Sequence, residues 1–311
     1  CSVIGNGLSA GRVQSVVTRL IVDKERDIND FSSNSYFKIK GLLTKGTSLS
    51  GITYTLMKES KVAKVNYKKA KKLLKKFNKF QVKDVWDQEV KRNPPPPFTT
   101  ATLQQTASST LKWSVKKTMQ VAQKLYESGH ITYMRTDSVK LSNEALSKIK
   151  SVINPDYYQF RNYQSKDKNS QEAHEAIRPT NFTSDVNNPL YKLIWKRTVA
   201  SQMKSAIFDK TVIQVDCFIK KYLFQAEFEK MKFDGYLSLY NKSDTKLPDI
   251  PNKGDFLNKE EIIAQEEYSK PSPRYTEASL VKKLKQLGIG RPATYASFIS
   301  KIQDRKYVEI K

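Results

Sequence analysis

Apolar positions along the chain follow two rhythms, and the switches between them mark its elements. Across residues 9–28 they fall at Val13, Val16, Val17, Leu20, Ile21 and Ile28, the spacing of one face of a helix, with Ser9 as its N-cap. From Phe31 to about Ala63 the rhythm shortens to alternation, in residues 36–40 and 51–56, interrupted by Gly and Ser; this predicts sheet. Helical spacing returns at Tyr67, Ala70, Leu73, Leu74 and Phe77, with lysines filling the other side. The run Pro94 to Pro97 cannot be helical and predicts an extended, stiff connector between bodies.

Three helices are predicted after the prolines. Thr99 or Thr100 caps the first, through Leu103, Ala107 and Leu111. Ser114 caps the second, whose stripe runs from Val115 to Tyr126 and stops at Gly129; Ser142 starts the third, through Leu146 and Ile149. Between the last two, residues 131–135 are short and β-branched at their start, which predicts a strand with Tyr133 and Arg135 on one face. Residues 154–170 read as loop, and His174 and Arg178, four apart, as one face of a helix ending before Pro179. Alternation resumes at residues 211–219 and 223–228, with Gly235 as a turn and residues 241–258 turn-rich. Two amphipathic helices, 276–287 and 292–302, close the chain around Gly288-Ile289-Gly290, with Pro292 in the first turn of the second.

Charge adds a partner to this outline. The 311 residues hold 55 Lys and Arg against 31 Asp and Glu, a net charge of +24 that points to a polyanion. Cys1, Cys217, His130 and His174 are too few for a zinc ribbon or a disulfide framework, so a reducing compartment and no structural metal are expected. With no apolar run of about 18 residues and no signal-peptide pattern, the expectation is a soluble, cytoplasmic protein without a membrane partner. No Gly-x-x-x-x-Gly-Lys loop suggests a nucleotide. The chain opens on Cys and enters a motif almost at once, so it reads as a fragment.

The candidate chemistry sits in residues 129–138. A phenol and a guanidinium on one face suit attack on a phosphodiester, Tyr133 as nucleophile and Arg135 holding the non-bridging oxygens. Phenols ordinarily titrate near about pH 10, so such a site must ease removal of the proton. The plainer reading is a core tyrosine beside a surface salt bridge. Helix starts supply further phosphate sites, at Arg12 and at Arg291 with Thr294. Arg12 and Gln14 would lie about 200 degrees apart on a regular helix, so both face one ligand only if the start is irregular.

Residues 131–138, Ile-Thr-Tyr-Met-Arg-Thr-Asp-Ser, resemble the active-tyrosine motif of type IA DNA topoisomerases, specifically the bacterial topoisomerase I branch. Four further stretches fit that family in the same order: 8–15 (Leu-Ser-Ala-Gly-Arg-Val-Gln-Ser), 94–100 (Pro-Pro-Pro-Pro-Phe-Thr-Thr), 171–179 (Gln-Glu-Ala-His-Glu-Ala-Ile-Arg-Pro) and 288–296 (Gly-Ile-Gly-Arg-Pro-Ala-Thr-Tyr-Ala). The resemblance implies a mixed α and β, multidomain, toroidal core with nested domains. A helical DNA-binding domain (1–30 and 271–311) would hold a strand-rich arch (31–97 and 208–270), which holds a helical domain bearing the tyrosine (98–207). It also implies that Tyr133, with Arg135 and His174, forms a transient 5′-phosphotyrosyl bond to single-stranded DNA, and that Ser9, Arg12, Gln14, Arg178, Arg291 and Thr294 bind the strand. The product is relaxed DNA, by strand passage through a monomer. Mg²⁺ would be held by an N-terminal TOPRIM domain absent from this sequence, leaving a chain that binds DNA but is inactive alone. Competing readings are a non-catalytic single-strand binding module in which Tyr133 stacks on a base, and a tyrosine recombinase or type IB enzyme, whose flanking arginines are missing. For the last two helices a helix-turn-helix duplex reader competes.

Overall fold

The computed structural model describes residues 12–46, 51–164, 174–182, 186–240 and 247–309. The first helical pattern forms α1 (Arg12–Asn29), and the first alternating stretch forms β1 (Ser35–Thr44) and β2 (Ile52–Lys58), with β3 (Lys61–Val62) folded back on β2. The lysine-rich run is α2 (Tyr67–Leu74), started by Asn66, whose side chain accepts the Lys69 amide at 3.0 Å. Ala70, Leu73 and Phe77 bury against Ile39, Tyr54 and Phe224, so the apolar stripe covers the sheet and the lysines face water.

A long strand, β4 (Gln81–Arg92), then leads into the prolines, and beyond the central helices come β5 (Ala206–Asp216), β6 (Tyr222–Phe233) and β7 (Asn258–Tyr268). Together they make one seven-stranded sheet in the order β4-β5-β6-β2-β1-β7, with β3 beside β2 and every pairing antiparallel. β4 and β7 are not visible in the sequence. Both are edge strands, largely solvated on both faces, so no apolar alternation marks them.

The helices form a second mass. α3 (Thr100–Thr110), α4 (Val115–Glu127) and α5 (Asn143–Val152) start at Thr99, Ser114 and Ser142, each accepting an amide of its first turn. They are followed by α6 (Pro189–Ser201) and, after the sheet closes, by α7 (Glu277–Gln286) and α8 (Tyr295–Asp304). α8 starts three residues later than expected. Thr294 Oγ1 closes a turn by accepting the Arg291 amide at 2.9 Å, and Gly290 enters it at φ +81, where a Cβ would sit 2.9 Å from Phe298; Pro292 lies in that turn.

Two apolar cores meet at α3. Leu103 and Ala107 pack with Leu125, Ile131, Met134 and Ile177, whereas Ala101 packs with Val17 of α1, Val115 of α4, and α7 and α8. The Glu277 carboxylate of α7 accepts the Val115 amide at the start of α4 (2.7 Å) and Gln303 Nε2 of α8 (3.0 Å). The proline run is strapped down: the Tyr163 hydroxyl donates to Pro94 O at 3.1 Å, and Arg197 Nε donates to Pro96 O at 2.9 Å while its guanidinium covers the Phe98 ring. The mixed α and β architecture expected from the sequence is thus present. Among the described residues no helix is long and apolar enough to cross a membrane.

Candidate active site

The end of α4 aims the chain. Gly129, at φ +70, donates to Tyr126 O at 2.9 Å, and His130 donates to Leu125 O at 2.8 Å, the paired bonds that close a helix through a left-handed residue. The expected strand at residues 131–135 does not form. Ile131 makes one isolated bridge to Pro179, and residues 132–140 are irregular. From Tyr133 to Thr136 the exposure still alternates: Met134 and Thr136 are buried, as is Ile131 before them, whereas Tyr133 is 41% exposed and Arg135 is also exposed. Ile131 and Met134 anchor the loop in the core on either side of the tyrosine, whose ring meets that of Tyr126 edge-on at 5.3 Å.

The loop replaces strand pairing with a helix terminus. The Thr100 amide, at the start of α3, donates to Thr136 O at 2.9 Å, and the fully buried Thr100 hydroxyl accepts the Thr136 amide at 2.9 Å. The hydroxyl proton is shared between Met134 O at 2.6 Å and Thr136 O at 3.0 Å. Farther along, Thr136 Oγ1 accepts the Ser138 amide (3.0 Å) and Ser138 Oγ accepts the Lys140 amide (3.2 Å), so both hydroxyls hold the backbone that carries Tyr133 and Arg135.

A second strip lies along this loop. Residues 174–180 are extended, correcting the expected helix: Thr132 N–H donates to Arg178 O at 2.9 Å, Ile177 to Phe98 O at 2.8 Å, and Ala176 to Lys140 O at 2.8 Å. Carbonyls that a helix would bond internally are used by the tyrosine loop instead. His174 is exposed at the start of the strip. Arg178 is turned inward, its side chain 12% exposed, ion-paired to Glu175 at 2.7 Å and donating to Pro179 O at 3.0 Å. Burial raises the Glu175 carboxyl pKa, but the Arg178 fork and the Ser142 amide outweigh it and hold the carboxyl below its usual range.

The other sequence-marked residues are dispersed. Arg291 is exposed, and one of its guanidinium nitrogens donates to Gly290 O at 2.9 Å; Thr294 Oγ1 is engaged within the same turn. Gln14 accepts from Arg305 Nη1 at 3.0 Å, joining α1 to the far end of α8. Ser9 and the side chain of Arg12 lie outside the described residues. Among the described residues no three or more His, Cys, Asp and Glu side chains cluster so as to hold a metal ion. The sequence offers Thr100 only as an alternative helix cap in the 94–100 stretch, Tyr126 only as part of an apolar stripe and Glu175 only within the 171–179 stretch, and nothing in it singles out Glu277.

The loop's supports can be removed one at a time. Thr100→Val strands the Thr136 amide and the Met134 carbonyl and should cost about 1–3 kcal/mol; faster hydrogen exchange at Thr136 checks it, and unchanged protection contradicts it. The Glu175 pKa is depressed on folding, so its contribution is complete above the unfolded value near about pH 4.3 and fades as pH falls through the folded value. Glu175→Gln should therefore cost about 2 kcal/mol at pH 7 and flatten the acid limb of the stability profile; denaturant titrations from pH 3 to 7 would refute it if the two profiles ran parallel.

Known proteins resemble this chain along nearly its whole length. A family model described as DNA topoisomerase matches residues 2–311. DNA topoisomerase 1 of Rickettsia typhi is 42% identical over 340 residues, covering 97% of this chain and 44% of that protein. The Helicobacter pylori protein of the same name is 40% identical over 338 residues, covering 100% of this chain and 46% of its own length. The structure of full-length topoisomerase I from Thermotoga maritima superposes with a TM-score of 0.80 at 35% identity, covering 98% of this chain and 52% of that one. The chain thus spans less than half the length of these curated relatives. On the match along its whole length, it belongs to the bacterial topoisomerase I family of type IA DNA topoisomerases.

Proposed function

We propose that the protein containing this chain cleaves and rejoins single-stranded DNA through Tyr133 and relaxes negatively supercoiled DNA by passing a strand through the break. The observation that carries this reading is the pairing of an exposed tyrosine with an exposed arginine two residues on, on a loop anchored by buried neighbours and bonded through its backbone at Thr100. The phenolic oxygen forms a bond to phosphorus and the bond from phosphorus to the 3′ oxygen breaks, leaving a 5′-phosphotyrosyl link and a free 3′-hydroxyl. Attack by that hydroxyl reverses the step, so one ester is exchanged for another and no nucleotide is consumed. The Arg135 fork stabilises the charge gathering on the non-bridging oxygens. His174, exposed on the adjacent strip, is the imidazole available to the same or the neighbouring phosphate. Arg178, committed to Glu175, serves by holding that strip in place.

Arg291 and Thr294 at the approach to α8, with Ser9, Arg12 and Gln14 at the α1 end, are the proposed contacts to the strand outside the cleavage point. In a monomer these would extend the bound DNA away from Tyr133. Magnesium would be held by a part of the protein outside this chain, which spans less than half the length of its relatives, and this chain alone would bind DNA without relaxing it. A stacking role, with Tyr133 and the 40%-exposed Tyr126 as a base platform in a non-catalytic module, is the second reading.

In the intact protein, Arg135→Ala should slow oligonucleotide cleavage by about 10²–10³-fold while single-strand affinity changes by only a few-fold. Equal losses in both would assign Arg135 to binding and favour the stacking module. The 311-residue chain by itself should show no relaxation of supercoiled plasmid with added Mg²⁺; efficient relaxation would refute the division of labour.

A further inference from the structure

The sheet carries, at the end opposite the tyrosine-bearing helices, a surface that the chemistry at Tyr133 does not use. α2 buries Ala70 and Leu73 and leaves Lys68, Lys69, Lys71, Lys72, Lys75 and Lys76 exposed. No acidic residue stands between Glu59 and Asp84 in the sequence. A lysine face alone is often just solvated. Here it continues into exposed aromatics.

Phe218, in the turn from β5 to β6, is 54% exposed and is held in the left-handed region at φ +55, a conformation bulky residues rarely adopt. Its amide donates to Asp216 Oδ1 at 2.7 Å, which fixes the turn and occupies one of the nearby carboxylates. Phe256 is 57% exposed, and the Lys79 ammonium lies over both rings, 5.2 Å from the Phe218 centroid and 5.0 Å from that of Phe256. Beside them opens a cleft of 410 Å³ lined by Lys83, Lys220, Lys221, Phe218 and Tyr222, with Glu59 and Asp216 as its acids. Lys69 covers the Tyr222 ring at 5.7 Å, so cleft, aromatics and lysine helix form one continuous surface.

We propose that this surface is a second contact for single-stranded DNA, with phosphates on the lysines and bases stacked on Phe218 and Phe256. Base faces are available only in an unpaired strand; a duplex would meet the lysines alone. The eleven residues of β5, at about 3.3 Å each, put the Phe218 turn roughly 33 Å from the strand's start beside the tyrosine-bearing helices. The contact is therefore separate from the cleavage loop and takes either a distant part of the same strand or a second one. It requires DNA as the partner, but not the chemistry proposed for Tyr133.

The test is equilibrium binding of the 311-residue chain to oligothymidylate and to a duplex of equal length. Phe218→Ala with Phe256→Ala should weaken oligothymidylate binding about ten-fold or more and leave duplex binding unchanged. Phe218→Tyr should retain wild-type affinity, which excludes loss through a disturbed turn. Replacing Lys71, Lys72 and Lys75 by Gln should reduce the salt slope by up to about 2, at roughly 0.7 per phosphate contact, whereas replacing Lys148, Lys150 and Lys192 should not. Equal weakening toward duplex, no weakening, or equal slopes for the two lysine sets would each overturn the proposal. Covalent adduct formation on a short oligonucleotide, measured in the intact protein, should be unaffected by the phenylalanine changes, so failure of this surface and failure of the Tyr133 reading are distinguishable.

Discussion

The loop bearing Tyr133 is bonded to the extended 174–180 strip only toward its ends, at His130, Thr132 and Lys140, and the buried peptide groups between must be satisfied elsewhere. The start of α3 has the complementary need, because the first amides of a helix have no acceptor within it. Thr100 meets both. Its amide and hydroxyl pair with Met134 and Thr136, one residue to either side of Arg135. Since Ala101, the next residue, packs into the core shared by α1, α4, α7 and α8, the same turn of helix couples the tyrosine loop to the terminal helices. Tyr133 and Arg135 therefore sit on irregular backbone that is fixed from beneath, with their side chains exposed.

Local chemistry is legible in the sequence where it is self-contained. Ser114 and Ser142 each cap the helix their position announces, and of the two candidates Thr99 and Thr100 the cap is Thr99, because a cap needs only its own next turn. Elements that depend on neighbours stay hidden. β4 and β7 become strands through pairing with β5 and β1 rather than through any pattern of their own. α6 goes unmarked because it buries residues around much of its circumference, among them Leu190, Tyr191, Ile194 and Val199, and so shows little amphipathic contrast.

The two segments at the site that depart from their sequence pattern do so for a common reason. Alternating exposure at residues 133–136 imitates a strand, although the burial comes from Ile131 and Met134 anchoring in a helical core. His174 and Arg178 fit one helix face, yet a four-residue spacing also returns to one side of an extended chain, and the peptide groups of Thr132 and Phe98 select the extended form. Arg178 then commits its charge to Glu175, three residues away. Residue types at the site are visible in the sequence, whereas which of them face outward depends on these backbone bonds.

Everything proposed for the cleavage loop stands on Tyr133 as the residue that becomes joined to DNA. Trapping the intact protein on an oligonucleotide carrying the label 5′ or 3′ of the cleavage point, with peptide mapping of the adduct, tests this most directly. The label 3′ of the break should stay with the peptide containing Tyr133, linked through a 5′-phosphate, and no adduct should form with Tyr133→Phe. An adduct on another residue, or one linked through a 3′-phosphate, would contradict the assignment.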